Sequence, residues 1–341
     1  METGSPLDIL NQVQENKAPK KTGERYLLID GLNLFFRNFA ILNMVNSKGM
    51  HVGGLGGFLR SLGVLIRQIQ PTQVYVVFDG AGSSNNRKNL LADYKSGRNT
   101  KRITNWEIFE NLEDEHDAKV DQLVRLIHYL KVLPIKIASI DKVEADDIIA
   151  HLSKILIKSE DDKAFIVSSD RDFLQLVNEN VAVFRPIEKE FYTTQTVQDK
   201  FGIPASNFIV YKTLLGDNSD GIKGVKGLGK KGLLKKFPEL GQPNVTLGDI
   251  VTICESKFKD NITYARVLNS IEELELNYKL MDLSNPMIDE SDKEYLKELA
   301  EDQDLNYIPK TFLEMYDEDQ IGGIIRNVEF WLQDVFEQFK K

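Results

Sequence analysis

Short apolar runs and longer helix-spaced patterns alternate through the first half of the chain. Tyr26-Leu27-Leu28-Ile29 ends in Asp30-Gly31, and Val74 to Phe78 ends in Asp79-Gly80. Pro134 to Ser139 and Ala164 to Ser169 are two further short apolar runs, the second followed by Asp170. Between them Phe58 to Ile69, Val120 to Leu130 and Val143 to Ile157 carry apolar residues at helical spacing. Strands alternating with helices predict βαβ units, hence an α/β fold with a mostly parallel sheet covered by helices on both faces. From Val197 onward the pattern is mainly helical. Val328, Trp331, Leu332, Val335, Phe336 and Phe339 form one apolar stripe that should pack against the body.

Two segments depart from this plan. Residues 1–24 are polar, contain Pro6 and Pro19 and show no sustained periodicity, so they read as a flexible tail. Residues 81–117 are too long for an ordinary connection, rich in Gly, Ser, Asn and basic side chains at first and abruptly acidic from Glu107 to Asp117. They read as an excursion above the sheet. The expected organisation is a tail at 1–24, an α/β domain at 25–195 and a helical region at 196–341.

With 42% apolar and 28% charged residues in 341, the chain has ordinary globular composition, which excludes collagen-like, low-complexity and mostly disordered classes. No window reaches the 18 or so uninterrupted apolar residues of a membrane span. The start lacks the basic-then-apolar order of an export signal, so a cytoplasmic protein is expected. Cys254 is the only cysteine, which excludes an intrachain disulfide framework and a cysteine-built zinc site.

A net charge of −9 at first argues against a polyanionic partner. The charge is unevenly placed, however. Residues 282–341 hold 16 acids against 6 bases, leaving 37 bases and 36 acids before them. Arg87, Lys88, Lys95, Arg98, Lys101 and Arg102 share a stretch with a single acid, Asp93. Lys223, Lys226, Lys230, Lys231, Lys235 and Lys236 share one with none. A phosphate responds to charge within a Debye length of roughly 8–10 Å, so both stretches are candidate phosphate-contact surfaces as well as ordinary solvated faces.

Acids recur where ligands bind in an open α/β sheet, beyond the carboxyl ends of the strands. Asp30, Asp79 and Asp170 each follow a predicted strand, and Asp172 lies two residues further. Glu144, Asp146 and Asp147 open the helix after the third strand, and Asp217 and Asp220 lie in Gly216-Asp217-Asn218-Ser219-Asp220-Gly221. Singly, each has a plain reading as a turn, a helix N-terminus or a surface loop. Those readings give no reason for acids to recur at one end of successive strands. Nine carboxylates at one rim would repel and raise one another's pKa unless cations joined them. Oxygen-only donors select Mg²⁺ or Mn²⁺, and two such ions about 3.5–4 Å apart recur in displacement at phosphorus.

Rival readings fail on spacing. An EF-hand would need glycine five positions after Asp217 and glutamate at position twelve, where Leu228 stands. No P-loop pattern occurs. A haloacid-dehalogenase-type phosphatase would want a second Asp at Leu32. His51, His116, His128 and His151 sit in no motif.

From Gly221 to Phe237 glycines alternate with apolar residues and then give way to a lysine-rich helix. Gly224, Gly227 and Gly229 would let backbone approach a phosphate. Lys223, Lys226, Lys230 and Lys231 would add attraction without sequence information.

These motifs, Ile29-Asp30-Gly31, Phe78-Asp79-Gly80, Glu144-Ala145-Asp146-Asp147, Ser169-Asp170-Arg171-Asp172, Gly216 to Asp220 and the hairpin Gly224 to Gly229, together resemble the 5′-nuclease family. That family includes flap endonucleases, the 5′-nuclease domain of bacterial DNA polymerase I and, most similar in motifs, the ribonuclease H of T-even phages. The resemblance covers roughly residues 25–240. It implies a PIN-like domain, a helix-hairpin-helix at about 207–237 that grips duplex DNA, often around K⁺, and a helical arch or clamp at 81–117. It implies two Mg²⁺ ions, one held mainly by Asp30, Asp79, Glu144 and Asp146, the other by Asp172, Asp217 and Asp220, with Asp170 between them and Asp147 nearby. Tyr94-Lys95-Ser96-Gly97-Arg98 is similar to the family's arch base, which would bring Lys95 and Arg98 to the scissile phosphate and Arg87, Tyr94, Lys101 and Arg102 to the nucleic-acid path.

The implied activity is Mg²⁺-dependent cleavage near 5′ ends at single-strand/duplex junctions, removing flaps or RNA primers by two-metal-ion catalysis. The implied partners are branched duplex DNA and RNA/DNA hybrid, a sliding clamp and single-stranded-DNA-binding protein, met by a monomer. For the clamp, Gln333, Phe336 and Phe339 give a partial peptide, with Lys340 where a second aromatic is expected, and Leu7, Ile9 and Leu10 an alternative. A non-catalytic scaffold on the same fold is a rival reading, disfavoured by the full set of acids. A PIN-type ribonuclease on structured RNA is another, disfavoured by the hairpin.

Overall fold

The computed structural model describes residues 23–99 and 102–339, with the side chains of Arg98 and Asn99 outside the description. Six strands form one sheet in the order β3-β2-β1-β4-β5-β6: β1 Arg25–Asp30, β2 Gln73–Val77, β3 Lys136–Ala138, β4 Lys163–Val167, β5 Val181–Arg185 and β6 Glu190–Tyr192. All pairs are parallel except β5 with β6. Leu27, Leu28 and Ile29 of β1 are fully buried, as a central strand covered on both faces requires. The helices between the strands are α1 Gly31–Ile41, α2 Gly53–Ile69, the short α3 Asn85–Leu90, α4 Leu112–Lys131 and α5 Ala145–Ile155. The expected α/β class with a mostly parallel sheet and a helical second half is what the chain adopts.

Parallel register does the decisive work at one rim. Asp30 pairs with Val77, two residues before Asp79, and Ile29 pairs with Val167, three before Asp170. The order of the strands changes direction on either side of β1, the position where open sheets bind ligands.

Beyond the sheet come α6 Thr194–Phe201, α7 Phe208–Leu215, α8 Lys230–Lys236, α9 Leu247–Lys257, α10 Ile262–Leu268, α11 Ile271–Met281, α12 Glu290–Glu301, α13 Pro309–Asp319 and α14 Val328–Phe336. Two cores form. One lies on the sheet face that carries α5 and continues through α7 to α11. The other holds α1, α2 and α4 with the apolar stripe of α14. Among the described residues no helix is long and apolar enough to cross a membrane.

Three features were not anticipated from sequence. Gly53-Gly54-Leu55-Gly56-Gly57 has poor helix propensity, yet it opens α2. A Cβ on Gly54 would stand 2.8 Å from Phe35, and one on Gly57 2.8 Å from Asn38. The glycines let α1 and α2 approach closely, and that packing overrides propensity. Strands β5 and β6 extend the sheet by an antiparallel hairpin. The excursion ends earlier than expected, because its acidic end already forms the first turn of α4, where Glu113, Asp114 and Glu115 favour the positive end of the dipole.

The stripe of α14 packs inward as its periodicity implies. Trp331 and Phe336 are buried, and a Cβ on Gly63 of α2 would meet Trp331 Nε1 at 2.3 Å. Phe336, offered above as part of a C-terminal clamp peptide, is therefore a core residue, and Leu7, Ile9, Leu10 and Lys340 lie outside the described residues. Gly63→Ala should cost about 1–3 kcal/mol in urea unfolding through this collision. A red shift of tryptophan emission should accompany the loss as Trp331 moves outward.

Candidate metal centre and nucleic-acid interface

Each acid is carried to the rim by an element whose end it forms. Asp30 closes β1 and caps α1, with Oδ1 accepting from the Asn33 N–H at 3.1 Å and Oδ2 from the Ser168 hydroxyl at 2.9 Å. Asp79 leaves β2 and accepts from the Ala145 N–H at 2.8 Å, tying the end of β2 to the first turn of α5. Glu144 stands at the N-terminal cap position of α5, and Asp146 and Asp147 lie in its first turn. Asp170 follows β4 and accepts from the Asp172 N–H at 2.9 Å. Asp217 and Asp220 enter on the turn between the two-residue strands Gly216–Asp217 and Ile222–Lys223, directly after α7.

Electrostatics confirms that these groups share one space. Burial, with smaller contributions from Asp79 and Asp170, raises the Asp30 carboxyl to about 7. Asp172 also rises to about 7, through burial and then Asp170. Asp170 is raised by burial and by repulsion from Asp146 and Asp220, so the β4 acid feels both the α5 group and the α7 turn. Glu144 and Asp147 rise through burial and then Asp146. One ligand atom each from Glu144, Asp146 and Asp147 lies within 4.8 Å of the others. A hard, oxygen-only donor set with too little positive charge suits a divalent cation of the Mg²⁺ type.

Two lysines supply part of the missing charge. Lys95 Nζ is 2.6 Å from Glu144 Oε1. Burial works against its charge, but Asp146 and Glu144 keep the ammonium above the ordinary lysine range. Its backbone is left-handed, at φ 56°, a conformation that costs a non-glycine residue free energy, and its N–H donates to the Asp220 carbonyl. The backbone at Lys95 is thus fastened to the acidic turn. Lys212 Nζ bridges Asp172 and Asp217, 2.6 Å from the latter, and with Ser219 it draws Asp217 down to about 2 against the opposing effect of burial.

Lys212 was missed in the sequence. Its only signal is a lone cation within Phe208-Ile-Val-Tyr-Lys-Thr-Leu-Leu215, an otherwise nearly apolar helix. Ser168 and Asn33 were missed too, because their roles depend on strand register.

Two expected nucleic-acid contacts are corrected. Arg87 is 3% exposed, and its guanidinium donates to Glu144 Oε2 at 2.7 Å and to both oxygens of Asp147 at 2.6 and 3.0 Å. Tyr94 is 2% exposed, with its hydroxyl 3.0 Å from Glu144 Oε2. Both support the carboxylates from beneath, since each can satisfy a buried anion that solvent does not reach. Asp147 correspondingly faces Arg87 and the Met287 N–H, with both oxygens engaged. Arg102 is exposed, Lys101 lies outside the described residues, and of Arg98 only the backbone, in the turn Ser96–Asn99, is described.

The hairpin separates its two faces cleanly. Ile222, Val225 and Leu228 are buried, while Lys223, Lys226, Gly227, Gly229, Lys230 and Lys231 are exposed. Gly227 needs its glycine for φ 81°, whereas Gly224 needs it for packing, because a Cβ there would strike the Leu215 backbone at 2.1 Å. The hairpin borders a crevice of about 720 Å³ that is also lined by Asp170, Arg171, Lys212 and Asp217. Lys230 of the hairpin and the acids Asp170 and Asp217 therefore open onto one crevice.

Comparison with known proteins finds relatives along most of the chain. Residues 25–202 match the family model of the 5′-3′ exonuclease N-terminal resolvase-like domain. A 5′-3′ exonuclease of Aquifex aeolicus is 31% identical over 292 residues, 84% of this chain and 91% of that one. A DNA polymerase I of Lactococcus lactis is 33% identical over 248 residues, 70% of this chain but 27% of the polymerase. A bacteriophage T5 protein co-crystallised with metal ions shares the fold, with TM-score 0.65 at 22% identity, covering 86% of this chain and 99% of that one.

The chain belongs to the 5′-3′ exonuclease family, hydrolases of phosphodiester bonds. Within that class it is similar both to free-standing exonucleases and to the polymerase-linked domain, and it matches the former over nearly their whole length.

The raised carboxyls have a measurable consequence. An unfolded Asp titrates near about 4, whereas Asp30 in the fold titrates at about 7. Between these values the folded chain holds a proton that unfolding releases, so raising the pH through that window destabilises the fold. In EDTA, Asp30→Asn should become progressively more stable than the parent from pH 4 to 7, as read by thermal unfolding. Mg²⁺ should raise the parent's Tm more at pH 8 than at pH 6, where protons compete with it. A stability difference independent of pH would contradict the Asp30 assignment.

Proposed function

We propose that the protein is a structure-specific 5′ nuclease that cuts near 5′ ends at single-strand/duplex junctions, removing flaps and RNA primers during DNA replication. In that role it would correspond to the ribonuclease H of T-even phages and work in the cytoplasm. The observation that supports this reading is the convergence of acids from the ends of β1, β2 and β4, the first turn of α5 and the turn after α7, beside an exposed lysine hairpin. A bacteriophage T5 flap endonuclease solved with DNA and metal ions has the same fold, at TM-score 0.62 and 21% identity.

Two Mg²⁺ ions, replaceable by Mn²⁺, fit the donor set. Asp30, Asp79, Glu144 and Asp146 would hold one, and Asp172, Asp217 and Asp220 the other, with Asp170 between. Bound there, they would supply an activated water and stabilise charge developing on phosphorus. The chain's own groups do the rest. Lys95, already between Glu144 and the rim, would turn its ammonium to the scissile phosphate, with Arg98 beside it, and stabilise the developing charge. Lys212 would hold Asp172 and Asp217 apart from each other's repulsion until ions arrive. Lys223, Lys226, Lys230 and Lys231 would grip duplex phosphates, with K⁺ on the hairpin carbonyls, and Arg102 and Lys101 would follow the unpaired strand. A sliding clamp and single-stranded-DNA-binding protein are the proposed replication partners of this monomer.

The test is cleavage of a 5′-flap duplex and of an RNA/DNA hybrid in Mg²⁺ and in EDTA, beside Asp146→Asn. The parent should cut both near the 5′ end, leaving a 5′-phosphate and a 3′-hydroxyl, and lose activity in EDTA. The variant should fall by roughly a hundredfold or more. Equal cutting by the variant, or cutting in EDTA, would overturn the assignment.

A further inference from the structure

The C-terminal half of α11 touches three parts of the site. Asn277, 5% exposed, donates to the Lys223 carbonyl of the hairpin at 2.7 Å. The Leu280 carbonyl accepts from Arg87 Nε at 2.9 Å, while the same guanidinium holds Glu144 and Asp147. The Met281 carbonyl accepts from Gln175 Nε2 at 3.0 Å, and that amide also donates to the Asp172 carbonyl at 2.9 Å. Immediately beyond α11, Leu283 N–H donates to Gln175 Oε1 at 3.0 Å, and Met287 N–H to Asp147 Oδ1 at 3.0 Å.

A helix ends with carbonyls that have no partner within it. In α11 two of these, on consecutive residues, are taken by side chains from opposite halves of the acidic rim. Arg87 serves the α5 group, Gln175 the β4 group. A lysine in place of Arg87 would keep the charge but could not hold Leu280, Glu144 and Asp147 together, because only a guanidinium presents donors in a fixed planar fork. The arrangement uses geometry as well as charge.

We propose that the C-terminal end of α11 is the brace that sets the spacing of the two carboxylate groups, and that Asn277, Arg87 and Gln175 are positioning residues acting through it. Duplex held on the hairpin is thereby held in register with both groups. This inference rests on the metal-dependent nuclease reading above and goes beyond it in assigning α11 a role.

The test compares Asn277→Ala, Gln175→Ala and Arg87→Lys with the parent in four measurements. These are Mn²⁺ binding to the DNA-free protein by calorimetry, affinity for a 5′-flap duplex in EDTA, single-turnover cleavage, and thermal stability. Gln175→Ala and Arg87→Lys should weaken Mn²⁺ binding at least threefold and slow single-turnover cleavage at least tenfold, with duplex affinity within twofold of the parent. Asn277→Ala, which removes a bond to the hairpin backbone rather than to an acid, should slow cleavage in the same way, and its effect should be less than additive with that of Gln175→Ala. Parental Mn²⁺ binding and parental single-turnover rates in all three, whatever their stability, would overturn the brace. So would parental Mn²⁺ binding and a parental single-turnover rate in Arg87→Lys alone. Failure of the parent itself to cut any 5′ end would instead overturn the functional reading.

Discussion

Mutual repulsion among buried carboxylates is the constraint around which the rest of the molecule is arranged. Asp30 and Asp172 are both pushed to about 7 by burial and by neighbouring acids, so the metal-free chain holds protons there that it would release on unfolding near neutral pH. Such an arrangement persists only because other parts of the fold hold it. Lys95, Lys212 and the buried Arg87 each bring positive charge to within hydrogen-bond distance of one or two acids. Each costs desolvation of its own, and breaking one such buried pair leaves an uncompensated charge.

The supporting groups divide by what they leave accessible. Arg87 and Tyr94 reach Glu144 from the protein side and fix its orientation, while Asp146 keeps solvent exposure. Lys95 sits on the outer side, on strained backbone fastened to the Asp220 carbonyl. The basic stretch from Arg87 to Arg102, a single charge run in sequence, therefore does two kinds of work. Its first arginine is structural, and its lysine lies at the rim.

Much of the site was legible because acids after predicted strands carry a positional message. Asp30, Asp79 and Asp170 could be placed at one rim from the alternation of strands and helices, since parallel strands put their carboxyl ends on one side. The hairpin's glycines and lysines were legible as a candidate phosphate-contact element, while the separation of its buried Ile222, Val225 and Leu228 from its exposed lysines came from the fold. Illegible were Lys212, through its bond to Asp172, Ser168, through its bond to Asp30, and Asn33, whose side-chain oxygen accepts from the Ser169 N–H, because each joins residues far apart in sequence; so was the helical state of Gly53 to Gly57, which tertiary packing imposes against local preference.

By itself the sequence determined the α/β class and the rim at which acids recur, because periodicity and the placement of charge are properties of the chain's own order. Only the tertiary structure decided which basic residues stay exposed and which are consumed in holding the acids. Solvent access is set by what packs over a side chain: α11 and the loop to Met287 cover Arg87 and Asp147, and nothing in the local sequence around either residue records that cover.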